Sequence, residues 1–298
     1  MKSICAALLV MGSGLVLTHF KTDPTLVIQK SPAHSNLTIQ DLTPGLVVSL
    51  DWLSQRLSDP KVRVITTGER AQYDRGHIPG ARFVSHEDTI NHENHGLLAP
   101  AALAAALGKA GATDDVRIVL YGESPMATGW LFMALASVGH GDHVSMLDGN
   151  ADAWRASGKP LATDVPPAAT GTLTVRPAPD VIVTAPWVRE RLQTPRVKIL
   201  DVRSERERAN GHLLGSTLVI WRDLFKNPDQ AIFKPRDEIR ALLTKAGVGA
   251  TDQVVTYCAI GMRASLMYFA AKHAGLPARV YVGSFEDWQR QQGYPIVK

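Results

Sequence analysis

The chain holds two cysteines, Cys5 and Cys258, and the second stands where a reactive thiol could act. Cys258 follows a β-branched, apolar run at 253–257, which predicts a strand, and precedes an apolar, helix-favouring run at 264–274. Residues 258–263 therefore form a loop between a strand and a helix. A lone cysteine is most often an inert buried residue, so the surroundings of Cys258 must decide its role.

The composition of this loop suits a nucleophile that reacts with anions. Backbone N–H groups and the positive end of the following helix dipole stabilise negative charge on sulfur. Gly261 lets the loop curl without a Cβ at its centre, and Arg263 adds a fixed positive charge. We expect Cys258 to be the catalytic residue. The residues expected to bind substrate are Arg263, Ala259, Ile260, Gly261 and Met262.

The N-terminus has the pattern of a secretory signal. Lys2 precedes an apolar segment at 4–17, and polar sequence that contains proline follows from Lys21. The apolar run is short for a membrane span, and no Ala-x-Ala cleavage site follows it. Residues 1–22 are therefore interpreted as a signal peptide or an uncleaved membrane tether, and the protein as periplasmic or otherwise exported. Without this segment Cys258 is a free thiol with no disulfide partner.

The overall composition is that of a globular protein with two domains. The chain has 298 residues, of which 45% are hydrophobic and 20% charged, enough to bury sizeable cores. The formal net charge of +4 is spread along the chain without runs of Lys or Arg. Nucleic acid is therefore not an expected partner, whereas small anions are.

The sequence contains an internal repeat, which distinguishes the residues required by the fold from those required by the chemistry. Residues 109–121 match residues 245–257 at a spacing of 136 positions, with Lys-Ala-Gly at the start and tyrosine at the end of both segments. Upstream, residues 62–81 match residues 197–216 at a spacing of 135 positions. Each copy reads as strand, Gly-His turn, helix, strand, loop, helix, strand and helix. The chain is thus built from one unit used twice.

This alternation predicts an α/β fold in which each copy forms a mainly parallel sheet with helices on both faces. A segment rich in proline and small residues separates the copies. We place the first domain at 42–160, the linker at 161–179 and the second domain, which contains Cys258, at 180–298.

The two copies differ at the reactive positions. Both keep the turn histidines, His77 and His212, and the tryptophans Trp154 and Trp288, which are interpreted as scaffold. The first copy has Gly122 in place of Cys258, Ala127 in place of Arg263, Thr66 in place of Asp201 and Gly68 in place of Arg203. Because the first copy is predicted to have the same fold without these residues, their presence in the second copy indicates a chemical role. The first copy is therefore interpreted as non-catalytic.

Three motifs give the chain a family resemblance over roughly residues 45 to 298. They are ILDVRS at 199–204, GHIPGA at 76–81 with its variant GHLLGS at 211–216, and YCAIGMRAS at 257–265. In this order, within a duplicated α/β frame, they resemble the tandem-domain rhodaneses, which are thiosulfate or mercaptopyruvate sulfurtransferases. The resemblance implies two rhodanese-like domains, the first serving as scaffold and pocket wall.

The resemblance also implies a two-step sulfur relay that needs no cofactor and no metal. Cys258 takes the outer sulfur of a small anionic donor such as thiosulfate, holds it as a persulfide, and gives it to cyanide or a thiol. Asp201 and Arg203 match the Asp-x-Arg of the family, which implies that they support the loop; the alternative is a surface ion pair. Ala259 and Ile260 match neither a thiosulfate-preferring nor a mercaptopyruvate-preferring loop, so donor preference stays open.

Two other functions use the same residues. A sulfur carrier would hold the persulfide on Cys258 and deliver it to a protein partner without catalysis. A rhodanese-like phosphatase would need five residues between cysteine and arginine, and this chain has four, 259–262. The HENH sequence at 92–95 is interpreted as a solvated loop rather than a metal site, because further ligands are missing.

Overall fold

The computed structural model describes residues 45–167 and 170–298, and the predicted signal or anchor at 1–22 lies outside these ranges. Within them, no helix is long and apolar enough to cross a membrane. Two five-stranded sheets form the framework, one in each half of the chain.

The first domain is built on a parallel sheet with the strand order β1-β7-β6-β2-β3. A small antiparallel hairpin, β4 and β5, projects from it. The strands are β1 (Val47–Val48), β2 (Val62–Thr67), β3 (Arg82–Phe83), β4 (Ile90–Asn91), β5 (Gly96–Leu97), β6 (Arg117–Gly122) and β7 (Val144–Leu147). The helices are α1 (Leu50–Ser54), α2 (Arg70–Arg75), α3 (Pro100–Gly108), α4 (Pro125–Ser137) and α5 (Ala151–Ala156), with 3-10 turns at His86–Thr89 and Gly141–His143.

The second domain repeats this order as β8-β15-β14-β9-β11, again with all neighbours parallel. The strands are β8 (Ile182–Val183), β9 (Val197–Asp201), β10 (His212–Leu213), β11 (Thr217–Leu218), β12 (Phe225–Asn227), β13 (Ile232–Phe233), β14 (Gln253–Tyr257), β15 (Ala278–Tyr281) and β16 (Ile296–Val297). The helices are α6 (Ala185–Arg189), α7 (Glu205–Ala209), α8 (Arg236–Lys245), α9 (Met262–His273) and α10 (Ser284–Arg290), with a 3-10 turn at Trp221–Leu224.

Helices cover both faces of each sheet, as predicted. One face of the second sheet packs α8 and α9 through Ile239, Leu243 and Leu266, and the other packs α6 and α10 through Val188 and Trp288. Parallel sheets are stable in this arrangement because both faces are removed from water. The fully buried Trp288 and its counterpart Trp154, 1% exposed, act as core residues.

The repeat is visible at the level of single hydrogen bonds. The hydroxyl of Tyr121, at the end of β6, accepts the N–H of Ile78 at 3.0 Å. The hydroxyl of Tyr257, at the end of β14, accepts the N–H of Leu213 at 3.2 Å. Each tyrosine thus anchors the Gly-His turn of its own domain to the central strand.

The order predicted within each repeat was wrong in one respect. A short helix, α2 or α7, comes before the Gly-His turn and not only after it. In the second copy the reason is a capping box, because Ser204 accepts the N–H of Glu207 at 3.2 Å and Glu207 accepts the N–H of Ser204 at 2.9 Å. This reciprocal pair stabilises a helix too short to show apolar periodicity.

The two domains share one apolar core, in which α4 lies against α9. A Cβ on Gly129 would lie 2.6 Å from the Cα of Leu266, so glycine permits the close approach of the two helices. Phe132 and Phe269 meet edge to face, with ring centroids 4.8 Å apart. The helix α9 follows the loop that contains Cys258, residues 258–261, which we call the reactive loop. The position of α9 is therefore fixed by the first domain.

Candidate active site

The reactive loop joins β14 to α9. The strand 253–257 forms as predicted, but α9 begins at Met262, two residues before the predicted start at Ala264. The loop is therefore shorter than expected, and Arg263 lies in the first turn of the helix. The physical reason is Gly261, whose left-handed conformation (φ 98°) ends the loop and starts the helix.

Cys258 lies at the base of this loop and is 1% exposed. Its Sγ accepts the N–H of Gly261 at 3.1 Å, an interaction that suits a thiolate. The N–H of Cys258 donates to the Oγ of Ser284 at 3.1 Å. The loop thus curls around the sulfur atom.

The start of α10 holds the loop from the other side. Phe285 N–H donates to the carbonyl of Cys258 at 3.0 Å, and Glu286 N–H donates to the carbonyl of Ala259 at 3.1 Å. Ser284, which is fully buried, has a positive φ of 55° and donates its hydroxyl to the carbonyl of Tyr281 at 2.9 Å. The sequence did not point to Ser284, although it aligns with Asn150, the residue that caps α5 in the first copy.

Arg263 forms a bidentate ion pair with Glu207. The Nη1 and Nη2 atoms of Arg263 donate to the two carboxylate oxygens, each at 2.7 Å. Hydrogen bonds from Arg263 lower the pKa of Glu207 to about 2. The pKa of Arg263 is raised, first by Glu207 and, after an opposing effect of burial, by the nearby Cys258. Arg263 therefore lies within the electrostatic field of the sulfur atom, but two of its five N–H donors are already bound to Glu207.

Asp201 and Arg203 lie beneath the loop rather than in it. Asp201 is 0% exposed and Arg203 is 3% exposed, so the alternative of a surface ion pair was wrong. Arg203 donates to both carboxylate oxygens of Asp201, at 2.9 and 2.8 Å, and its guanidinium stacks 4.0 Å from the centre of the Phe285 ring. The pair is buried because β9 is an inner strand of the sheet.

Asp201 reaches the loop through the residue before Cys258. The hydroxyl of Tyr257 donates to Asp201 Oδ2 at 2.6 Å, and burial raises the pKa of that phenol. Arg208 adds a further donor to the same oxygen at 3.3 Å. That Asp201 and Arg203 support the loop stays a prediction. The contact through which they would do so is the hydrogen bond from Tyr257 to Asp201.

The first domain contributes a wall to this site. The ring of Trp130 on α4 packs against Gly261, with Cζ3 3.3 Å from where a Cβ would be. The indole N–H of Trp130 donates to the hydroxyl of Thr89 at 2.9 Å, which fixes the ring. On the open side, Ile260 is 41% exposed, with Ala259 and Met262 partly exposed. The accessible residues between Cys258 and Arg263 are therefore apolar.

The corresponding loop of the first domain is closed by its own side chain. Glu123 follows Gly122, and its carboxylate accepts the side-chain N–H of Asn150 at 2.6 Å and the N–H of Ala151 at 3.3 Å. Burial raises the pKa of Glu123. A carboxylate of the chain thus fills the place next to the position that corresponds to Cys258.

A cleft of about 1060 Å³ lies between the domains, but its lining does not include the reactive loop. Its lining includes Tyr281, Val282 and Gly283, the three residues before Ser284. Within the described ranges, no group of three or more His, Cys, Asp or Glu side chains is placed to hold a metal ion. The geometry around Cys258 therefore defines the candidate site.

Comparison with known families agrees with this geometry. The family model described as a rhodanese-like domain matches twice, at residues 49–157 and 184–291. The chain belongs to the rhodanese family. The second match contains Cys258, and the first contains the Gly122 loop closed by Glu123.

Relatives of this rhodanese are similar over almost their whole length. It is 30% identical to the sulfur carrier protein TtuD of Thermus thermophilus, over 86% of this chain and 97% of the relative. It is 29% identical to a thiosulfate sulfurtransferase of Pseudomonas aeruginosa, over 84% of this chain and 96% of the relative. Such relatives place the protein among rhodaneses of the sulfurtransferase type.

The solved structure of the 3-mercaptopyruvate sulfotransferase SseA from Escherichia coli has the same fold. The TM-score is 0.72 at 23% identity, over 81% of this rhodanese and 99% of SseA. The predicted fold, two rhodanese-like domains in tandem, is confirmed.

Proposed function

We propose that this rhodanese transfers sulfane sulfur from a small anionic donor to cyanide or a thiol, with Cys258 as the carrier of the sulfur. The observation that carries the proposal is the 3.1 Å hydrogen bond from Gly261 N–H to Cys258 Sγ, in a loop that curls around the sulfur. Arg263 supplies positive charge beside it. These features stabilise negative charge on the nucleophile and on the persulfide.

The reaction is a pair of displacements at sulfur. The Cys258 thiolate attacks the outer sulfur of thiosulfate, the S–S bond of the donor breaks, and sulfite leaves with the electron pair. The enzyme then holds the sulfur as a Cys258 persulfide. Cyanide or a thiolate attacks the outer sulfur of that persulfide, and the Cys258 thiolate is restored as the leaving group.

Turnover with cyanide tests this proposal. Purified protein with thiosulfate and cyanide should form thiocyanate, and Cys258→Ser should abolish the reaction because a serine hydroxyl is a poor nucleophile without a general base. Ser137→Ala, in α4 of the first domain, is a matched control for a small change away from the site and should keep full activity. Activity that survives Cys258→Ser, or turnover of an aryl phosphate instead, would contradict the proposal.

A sulfur-carrier role is a second candidate. A relative at 30% identity is named a sulfur carrier protein, and the apolar, 41% exposed Ile260 at the loop tip suits contact with a protein acceptor. A carrier would take up one sulfur per chain but would turn over slowly with cyanide and with small thiols. The ratio of sulfur uptake to steady-state turnover distinguishes the two roles, because this ratio is high for a carrier and low for an enzyme.

The location of the protein is a further part of the proposal. The apolar segment at 4–17 after Lys2 supports export to the periplasm, with residues 1–22 either removed or kept as a membrane tether. The mass of the protein recovered from a periplasmic extract, compared with that from the membrane fraction, tests both alternatives.

A further inference from the structure

Three arginines of the second domain, in or next to α7 and α9, are paired with carboxylates. Arg203 and Arg208 both donate to Asp201, and Arg263 is held by both oxygens of Glu207. These three guanidinium groups are therefore paired with carboxylates before a donor arrives. A donor that brings two negative charges meets no unpaired arginine among them.

Arg263 lies close enough to Cys258 to interact with its sulfur, and the pairing of Arg263 is built into the fold. Its side chain is 20% exposed, and Glu207 is held in place by Ser204, whose hydroxyl lies 2.7 Å from Glu207 Oε2. A bidentate pair of this kind has a fixed geometry, so Arg263 cannot turn its fork to an incoming anion without breaking two short hydrogen bonds.

The open side of the loop offers no replacement for that cation. Ala259, Ile260 and Met262 carry no charge, and Ile260 is 41% exposed. An apolar surface beside the sulfur favours a donor with an apolar substituent and disfavours a second, strongly hydrated anionic oxygen.

We propose that Glu207 is a specificity-determining residue, which neutralises Arg263 and so selects sulfane-sulfur donors with one negative charge over donors with two. This inference rests on the proposed function. The preferred class is that of thiosulfonates, in which an alkyl group replaces one anionic oxygen of thiosulfate. The Cys258 thiolate attacks the outer sulfur, the S–S bond breaks, and an alkyl sulfinate leaves with the electron pair in place of sulfite.

Thiosulfate and methanethiosulfonate are the probes, because they differ by one charge and one methyl group. The quantity measured is the ratio of kcat/KM for thiosulfate to kcat/KM for methanethiosulfonate, with cyanide as acceptor. The wild-type protein should favour methanethiosulfonate. Glu207→Gln should raise the ratio about tenfold, the effect of one charge-assisted hydrogen bond made available to the dianion.

Glu207→Gln keeps the fold because glutamine also serves as the third residue of a capping box. Glu205→Gln is the matched control, since Glu205 is exposed in the first turn of the same helix and its loss removes the same charge. The control should leave the ratio unchanged. In an Arg263→Gln background, Glu207→Gln should have little further effect on the ratio, because Glu207 acts through Arg263.

Two results would overturn the inference. In the first, kcat/KM falls by the same factor for both donors in Glu207→Gln, which would show that Glu207 only supports Arg263. In the second, the ratio rises equally in Glu205→Gln, which would show that the effect comes from net charge. Failure of the proposed function is a different result, in which neither donor leaves a persulfide on Cys258 of the wild-type protein.

Discussion

At the scale of single residues, the sequence was sufficient to predict the loop that holds the candidate nucleophile, Cys258. The composition of the loop, with Gly261 and Arg263, and the absence of Cys258 and Arg263 from the first repeat pointed to this segment. The structure places the Gly261 N–H and Arg263 beside the Cys258 sulfur. Glu207 was missed because its contact with Arg263 joins residues 56 positions apart, on helices whose packing no local pattern reveals. The Ser-x-x-Glu spacing at 204–207 was the available signal, but it indicates a helix cap and not an ion pair.

Replacement of Gly261 by alanine should disturb the reactive loop. Alanine there would adopt a φ of 98° and place its Cβ 2.8 Å from the carbonyl oxygen of Val282, so the loop must shift. We expect Gly261→Ala to cost about 1–3 kcal/mol in the free energy of unfolding and to lower kcat at least tenfold, as the Gly261 N–H leaves Sγ. Denaturant titration and cyanide turnover measure the two effects.

Gly247→Ala is the control for Gly261→Ala. Gly247 also has a positive φ, 87°, but nothing lies within 4 Å of its Cβ position. It should lose stability through strain alone and keep its kcat. Equal kcat values for the two variants would show that the N–H of Gly261 has no part in the chemistry.

At the scale of elements, the strand β14 was predicted with its observed bounds, whereas the start of α9 was not. β-branched residues mark a strand directly, but the helix starts at Met262 because Gly261 takes a left-handed conformation, which composition alone does not show. The ion pair between Glu207 of α7 and Arg263 of α9 ties these elements together across the loop.

This ion pair predicts a dependence of stability on acid. The pKa of Glu207 is lowered to about 2 in the folded protein, compared with about 4.3 for an unfolded glutamate. A lowered folded pKa stabilises the protein fully above the unfolded pKa, and the contribution is lost as the pH falls towards about 2. Between about pH 5 and pH 3, the urea midpoint should therefore fall further for wild type than for Glu207→Gln. Parallel curves for the two proteins would show that the pair contributes nothing to folding.

At the scale of the whole molecule, the repeat predicted two similar domains and the comparison with the rhodanese family confirmed them. The sequence did not show that the two domains share a core, because contacts between α4 and α9 depend on how the domains dock. Trp130 on α4 contacts Gly261 of the Cys258 loop through this interface, so the first domain helps to position the loop of the second.

Gly129 tests the interface. A Cβ at Gly129 would lie 2.6 Å from the Cα of Leu266, so Gly129→Ala must push α4 and α9 apart. We expect a loss of about 1–3 kcal/mol in the free energy of unfolding, together with lower activity as Trp130 shifts from the loop. Gly45→Ala, whose Cβ would meet its nearest atom at 3.9 Å, should change neither quantity. An unchanged denaturation midpoint for Gly129→Ala would contradict the shared core.

The intact mass of the protein shows whether Cys258 carries the transferred sulfur. After incubation with a sulfane donor, thiosulfate or methanethiosulfonate, and removal of the excess, the mass should rise by about 32 Da, one sulfur atom, and cyanide should return it to the starting value. Fragmentation should locate the added mass on Cys258, and Cys258→Ser should gain none. A mass that stays constant with every sulfane donor, or an added sulfur on Cys258→Ser, would show that Cys258 is not the carrier.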